Sequence, residues 1–570
     1  MNTLTTLTVH DLLKTYNTAL PALFLSITLV NCSGGSDSGS TVSEANTDTP
    51  SSVVPMFVDV TDSVGVNLFH GFSGGRIQTM PMMFSGGVAA DDYDNDGDID
   101  FYIVAGDLGQ NHLYQNQGNA TFVDVSQAAG VAIANTLSTG PAFADVDGDG
   151  WLDLFVGSIE GDPVYLFKNN GDGTFTDVTA ASGLDFQANN TVSTTFGDVD
   201  NDGDIDLLAA HWGHPMSETA SREIIWRNDS VGGNIVFVDV STDWGMNVAY
   251  SSHLNEEDPT DHIPDSAFVP SLSDIDGDHD LDLLLVSDFG RTKVLRNDDG
   301  TGFTNITSDA ITDQNGMGSA VGDFDNDGDM DWYVTSIHFK ENDGGVINQS
   351  VGFTGNRLYS NDGSGNFNNL AVSLGVADGG WGWGSCFADF NNDGRLDIFH
   401  VNGWGQNSVD FAQYQNDFSR MFIQNVDGTF SEVAVLLGFA TPRQGRGLAC
   451  NDFDRDGDID IVTSNNQDSA RFFRNTSSAE HNSLTIQLRS PASNTRAIGA
   501  KIEVSDQRGM TQTREVRVNN NFTSTNASEV HFGFGVESRS VVITVTWPGG
   551  NTTRVENAAL NQLLTINESM

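Results

Sequence analysis

Cysteine is nearly absent, at 3 of 570 residues, so no disulfide framework holds this chain together. Positive charge is scarce too: 25 Lys and Arg face 78 Asp and Glu, for a formal charge of −53. A field of that sign repels phosphate backbones and anionic head groups, which excludes nucleic acid as a partner and a basic membrane-binding face. Catalytic signatures are missing as well: the chain has no GxSxG, HExxH, P-loop or dinucleotide fingerprint, and it is expected not to be an enzyme. What is plentiful is Gly, at 61, with 35 Phe and 9 Trp. A disordered acidic chain would lack those aromatics. Abundant Gly with few basic residues fits many short strands joined by tight turns.

Long apolar runs are also lacking. Residues 20–30, LPALFLSITLV, are too few to cross a bilayer as a helix, but they suit the apolar core of a signal peptide. Lys14 is the one positive charge ahead of them, and Asp11 opposes it. Leu29-Val30-Asn31-Cys32 resembles a bacterial lipobox, although Asn31 departs from the usual small residue. The expectation is a lipoprotein-type signal over 1–31, lipidation at Cys32, and a flexible Ser/Thr/Gly linker over 32–54. Ordinary signal-peptidase cleavage, with Cys32 incidental, is the alternative. Both make the protein exported, either secreted or anchored at the cell surface or outer membrane.

One nine-residue pattern recurs seven times. Window 1 is DYDNDGDID, with Asp92, Asp94, Asp96, Asp98 and Asp100; window 2 is DVDGDGWLD, with Asp145, Asp147, Asp149, Trp151 and Asp153. Window 3 is DVDNDGDID (Asp198, Asp200, Asp202, Asp204, Asp206), and window 4 is DIDGDHDLD (Asp274, Asp276, Asp278, Asp280, Asp282). Window 5 is DFDNDGDMD (Asp323, Asp325, Asp327, Asp329, Asp331) and window 6 is DFNNDGRLD (Asp389, Asn391, Asp393, Arg395, Asp397). Window 7 is DFDRDGDID (Asp452, Asp454, Asp456, Asp458, Asp460). Their starts lie 53, 53, 76, 49, 66 and 63 residues apart. Each sits among four short β-type runs; in residues 139–180 these lead into Asp145, follow Asp153, cover 164–169 and close at Val178 and Thr179. Four strands per repeat, seven times over, is the pattern of propeller blades.

The ends of the array support closure. A run like Phe122-Val123-Asp124-Val125-Ser126 is missing after Asn475, while Phe57-Val58-Asp59-Val60-Thr61 stands unclaimed before window 1. The N-terminal run is expected to complete the last blade and so to remove the open edges. The expected fold is all-β: a seven-bladed β-propeller over 55–478, then a small β-sandwich over 483–570. In the second region strand-like runs fall at 484–488, 500–504, 511–518, 541–546 and 563–566.

Within a window, Asp at positions one, three, five and nine surrounds a turning backbone, position seven offers a main-chain carbonyl, and Gly at six permits positive φ. An all-oxygen site of high negative charge suits a hard cation with six to eight ligands, and Ca²⁺ over Mg²⁺. Zn²⁺ would want Cys or His. About seven Ca²⁺ per chain are expected. These loops are not EF-hands, because position twelve is Ile103, Val156, Ala209, Leu285, Val334, His400 or Thr463 rather than Glu. Two sites are expected to be weaker: window 4, with His279 at position six, and window 6, with Asn391 and Arg395. The alternative is a set of Asx-turns that need no ion. Clustered carboxylates repel one another, so an ion should offset the repulsion and rigidify each turn. The windows hold 32 of the 78 acidic residues; seven divalent ions would leave the charge at −39, still strongly acidic.

The windows and their flanks resemble FG-GAP/VCBS repeats, the unit that also builds integrin α-chain propellers. Residues 483–570 are similar to the ASPIC/UnbV domain through Arg496, Ile498-Gly499-Ala500, Gln512, Arg514-Glu515-Val516, His531-Phe532-Gly533-Phe534-Gly535 and Trp547-Pro548-Gly549-Gly550. Together they resemble the cartilage acidic protein 1 family and its bacterial relatives. The resemblance implies extracellular adhesion or recognition by analogy, and it supplies no reaction. The chain itself is expected to be a monomer that recognises or scaffolds an extracellular protein or a glycan.

Other features stay open at this point. Cys386 and Cys450 occupy equivalent places in successive repeats, either bridged or as two buried thiols. The third repeat carries insertions at 211–223 and 247–270. There His211 and His214, with His253 and His262 nearby, are candidates for a transition-metal site, the basis of an alternative enzyme reading together with the propeller's funnel. His70 and His112 read as loop or blade residues. His531 and Arg514 are either a site or buried hydrogen-bonding groups. Trp381 and Trp383 are expected near the ring's axis, as core or as a sugar-stacking platform.

Overall fold

The computed structural model describes residues 57–73, 81–184, 190–213, 224–246, 266–339, 354–405, 409–477, 481–518, 521–536 and 538–569. Cys32 and the expected signal peptide, linker and lipidation site lie outside them, as do His214, His253 and His262. Among the described residues no helix is long and apolar enough to cross a membrane.

Among the described residues, seven four-stranded antiparallel sheets share one topology: three strands pair in sequence order and a short fourth pairs with the third. Blade 2 shows the pattern: Ser138–Ala144, Asp153–Ser158, Tyr165–Asn169 and Phe175–Asp177. Its first strand is buried at every residue, whereas only the leading Phe175 of its fourth is buried. A strand covered on both faces reads as continuously apolar or small, and an outer strand keeps only its anchor.

The first strands of blades 1 to 7 are Val88–Asp91, Ser138–Ala144, Thr191–Gly197, Ala267–Ser273, Ser319–Gly322, Gly382–Ala388 and Gly445–Asn451. Each contacts the first strand of the next blade, and the seventh contacts the first. The ring therefore closes, with the first strands innermost. Closure uses the N-terminal run as expected: Phe57–Asp59 is the fourth strand of blade 7, with Phe57 opposite Asn475 and Asp59 opposite Phe473. The two cysteines are bridged, Cys386 to Cys450, joining the innermost strands of blades 6 and 7.

The C-terminal region forms two further sheets. In one, Asn482–Arg489 lies between antiparallel Val530–Gly535 and parallel Leu563–Asn567. The other runs in the order Thr511–Glu515, Lys501–Asp506, Ser540–Thr546, Thr552–Ala559. Two of these strands were not anticipated. Val530–Gly535 alternates Val530, Phe532 and Phe534 with His531 and two glycines, residues that strands seldom use, and Thr552–Ala559 is mostly exposed and shows no apolar alternation. Ile486, Val504, Phe532, Ile543 and Trp547 form the core, which runs without a break into Phe155, Phe196 and Leu207 of blades 2 and 3.

Candidate metal centres in the seven windows

Every window is the turn between the first and second strands of its blade, and Asp at position nine opens the second strand. Two residues in each turn adopt the left-handed conformation. Position six does so in all seven, from His279 at φ 77° to Gly328 at 101°. Position four does so as well: Asn95, Gly148, Asn201, Gly277, Asn326, Asn392 and Arg455 have φ between 56° and 79°. The sequence reading missed position four, although Asn or Gly there in six windows was the available signal.

These turns aim backbone donors at the carboxylates. In six windows the position-one Asp accepts from the N–H groups of positions five and six; Asp145 receives Asp149 N at 3.1 Å and Gly150 N at 2.8 Å. Position five accepts from the N–H of position seven in all seven, as in Asp329 N to Asp327 at 3.0 Å. Window 4 is the exception at position one. With His279 at six, Asp274 instead accepts from Gly277 N at 2.8 Å, and His279 Nδ1 stands 3.7 Å from its carboxylate. In window 6 the Arg395 side chain turns onto Asp393.

The position-nine Asp locks the window to the sheet. It accepts from the last residue of its blade's third strand at 2.7–2.9 Å in all seven blades. That same residue, Asn in six blades and Gln424 in blade 6, donates its side-chain amide to the position-two carbonyl of the preceding blade's window. Asn169 reaches Tyr93 O at 2.9 Å, and Asn116 of blade 1 reaches Phe453 O of blade 7 at 2.8 Å. Seven such bonds link the windows around the whole ring.

Donors do not satisfy every carboxylate oxygen. Oδ1 of Asp94, Asp147 and Asp276, all at position three, and Oδ2 of Asp460 are buried with no hydrogen-bond partner. In windows 2, 3, 4 and 5 one oxygen each from positions one, three and nine lies within 4.8 Å of the others; in window 1 positions one, three and five do so. Burial, reinforced by the neighbouring carboxylates, pushes Asp206 and Asp282 up to about 8 and Asp331 to about 9. Asp198 and Asp452, at position one, rise to about 7 and about 8 for the same reason. Oxygens this close, buried and short of donors hold a proton or a cation, and a hard divalent cation with oxygen ligands fits the donor set. Windows 2 and 7 differ in electrostatics: Lys168 contacts Asp147 and lies 3.0 Å from Asp149, and Arg474 lies 3.1 Å from Asp454.

The remaining candidates are buried in packing or paired. Trp381, Trp383 and Trp404 stack in parallel and, with Phe84, Trp212 and Phe268, fill the ring's centre. His211 Nε2 lies 3.1 Å from Thr191 Oγ1. His70 meets Ser85 at 3.0 Å, and burial drives it down to about 3, so it is neutral. His112 pairs with Asp124 at 2.8 Å. His531 Nε2 lies 3.1 Å from Gly457 O, inside window 7, and Arg514 is stacked on Phe532 at 5.3 Å. Sequence reasoning did not foresee that residues of the C-terminal domain reach the windows.

Against known families, the FG-GAP-like repeat model matches residues 92–156, 145–209, 274–334 and 346–400, and the ASPIC and UnbV model matches 490–570. Cartilage acidic protein 1 of mouse is 24% identical over 298 residues, covering 48% of this chain and 42% of that protein. The human protein is 24% identical over 301 residues, covering 48% and 41%. The chain thus matches less than half the length of these relatives. A solved Agrocybe aegerita lectin, described as specifically recognising non-reducing terminal N-acetylglucosamine, shares 19% identity, covering 66% of this chain and 88% of its own, with a TM-score of 0.38. The Vibrio cholerae biofilm matrix protein Bap1 shares 11%, covering 89% and 76%, with a TM-score of 0.30.

Proposed function

We propose, from the premise that the chain is an FG-GAP-repeat propeller with an ASPIC/UnbV domain, that it is a calcium-loaded recognition protein acting outside the cytoplasm. The observation that carries the calcium reading is the set of buried, donorless carboxylate oxygens at position three and in Asp460, set beside raised position-nine carboxyls. Positions one, three, five and nine would hold the ion with side-chain oxygens and position seven with its carbonyl. Bound there, Ca²⁺ supplies charge neutralisation and rigidity rather than a reacting atom.

The recognition reading rests on the repeat and domain families, on a surface that stays acidic after loading, and on a scaffold whose loops are presented by a rigid ring. An extracellular protein or a glycan is the proposed partner class, and the protein is proposed to act without catalysing a reaction. Attachment to the cell surface would run through Cys32 and the linker after it. Elemental analysis of purified protein tests the core of this: calcium near seven per chain supports it. Stoichiometric copper, iron or zinc, or no calcium after dialysis against it, argues for the enzyme reading or for ion-free turns. A glycan array and a pull-down with the mature form then identify the partner.

A further inference from the structure

The face of the propeller that carries the windows is also the face that holds the C-terminal domain. Arg496 donates to the carbonyl of Asp92 at 3.2 Å and to Asn95 Oδ1 at 3.0 Å, both in window 1. Thr495 bonds the Asp145 carboxylate, and Gly148 of window 2 packs so closely on Ser493 that a Cβ there would lie 2.9 Å from its Cα. Glu515 accepts from the N–H of Asp274 at 3.1 Å, at the start of window 4. Gly533 leaves no room for a side chain, because a Cβ would stand 2.1 Å from the Asp389 carboxylate of window 6, and Gly535 N donates to Asn392 O at 2.7 Å. His531 bonds the Gly457 carbonyl of window 7, where Arg455 also pairs with Glu529. Arg496, Glu515, His531 and Gly533 belong to the domain's own sequence signature, yet their contacts serve the propeller's loops.

The same domain also reaches the ring's centre. Residues 521–528 cross the innermost strands. Thr525 pairs with blade 1, donating to Val88 O at 2.8 Å and accepting from Ala90 N at 3.0 Å. Asn526 accepts from Cys450 N of blade 7, and Thr523 N donates to Ser193 of blade 3. Phe522 is fully buried against Trp383 of blade 6 at 5.1 Å and Phe268 of blade 4 at 5.4 Å.

We propose that ion loading of the windows and seating of the C-terminal domain are one coupled equilibrium, with residues 521–528 as a cap that lifts from the ring's aromatic centre when the windows empty. The proposal rests on the windows being cation sites. An ion fixes the backbone of a window, and that backbone supplies the carbonyls of Asp92, Asn392 and Gly457 and the amide of Asp274 on which the domain sits. Without the ion, mutual repulsion of the carboxylates loosens the turn and these contacts go with it, so the seated and unseated states differ in ion affinity. Linkage then requires the converse: a poorly seated domain weakens ion binding by the same factor. On the blade 2 and 3 side the shared apolar core keeps the domain attached. Towards blades 5 to 7 the joint mixes charged and apolar groups and leaves a partly open cavity of about 110 Å³ beside Asp389, Asp452, Arg514, Glu529 and His531, so water enters there first. Release is therefore a hinged lift, and it uncovers the aromatic centre.

Hydrogen exchange by mass spectrometry on the full chain, in calcium and in EGTA, tests this. Chelation should speed exchange in the windows and raise it in 521–528 by about tenfold or more, while the second strands of blades 3 and 4 beyond the windows, 207–211 and 283–287, stay protected. In the reciprocal arm, Arg496→Ala, or the milder Thr495→Val if the first fails to fold, should weaken calcium binding by about fivefold in titration calorimetry. Phe522→Ala should loosen 521–528 in calcium without chelation. If calcium slows the windows but leaves 521–528 unchanged, the coupling is wrong and the cation sites stand. No response in either place overturns the cation sites themselves. If 207–211 opens together with everything else, chelation unfolds the protein globally and no separate cap exists.

Discussion

Aspartate at position nine carries more of each window than its neighbours do. It opens a strand, holds the third strand through one amide and, in six windows, fixes position two through another, as Asp331 does with Phe324 N at 3.0 Å. Its burial has a consequence for pH. In metal-free protein the folded carboxyls of Asp206, Asp282 and Asp331 are raised to about 8, 8 and 9, above their unfolded values. Protonation therefore favours the folded state, fully so in acid, and that stabilisation is lost as pH rises through these values. Melting of metal-free protein should fall from pH 5 towards pH 9, and saturating calcium should flatten the profile; equal slopes in both would contradict the assignment. Position six offers a second test. His279 sits at φ 77°, where glycine is at ease, so His279→Gly should stabilise the protein by about 1 kcal/mol in denaturant unfolding and tighten the fourth site. The clustered carboxylates were legible because period-two aspartates stand out in any sequence. Position four was not, because its role is backbone conformation, which Asn95 and Arg455 share without sharing chemistry.

At the scale of elements, the turn and the strand after next are one device. The third strand ends in Asn or Gln because that side chain must reach back across the blade boundary to a carbonyl in the preceding window. Asn169→Ala would strip a donor from both Tyr93 O and Leu152 O. Two buried acceptors would be left short, at about 1–3 kcal/mol by urea unfolding, with lower calcium affinity in windows 1 and 2. Asn170→Ala, on an exposed side chain, serves as the control. The recurring Leu113-Tyr114-Gln115-Asn116 pattern was visible as a strand, but its inter-blade bond was not, since its acceptor lies 337 residues away at Phe453. The closing strand was legible because a missing fourth strand at one end matched a surplus one at the other. Removing Phe57–Asp59 should expose the edge of Arg471–Asn475 and produce concentration-dependent association in light scattering.

For the whole molecule, charge and topology pull in opposite directions. A ring of seven acidic turns on one face repels itself, and the closing strand, the chain of inter-blade amide bonds and the Cys386–Cys450 bridge hold it shut. Repeat number and fold class followed from the recurring window, the four β-type runs around it and the matching gap and surplus at the two ends. How the C-terminal domain sits did not, because Arg496 and Glu515 look like any buried polar pair until Asp92 and Asp274 are seen opposite them. Reduction of the bridge should lower the melting temperature more in EGTA than in calcium, because loaded windows already restrain blades 6 and 7. The most direct test of the account is thermal unfolding of the intact protein in calcium and in excess EGTA. At a hundredfold excess over Kd each site adds about 2.7 kcal/mol, so chelation should lower the midpoint by more than about 10 °C, and readdition of calcium should restore it. Superimposable melting curves in calcium and EGTA would contradict it.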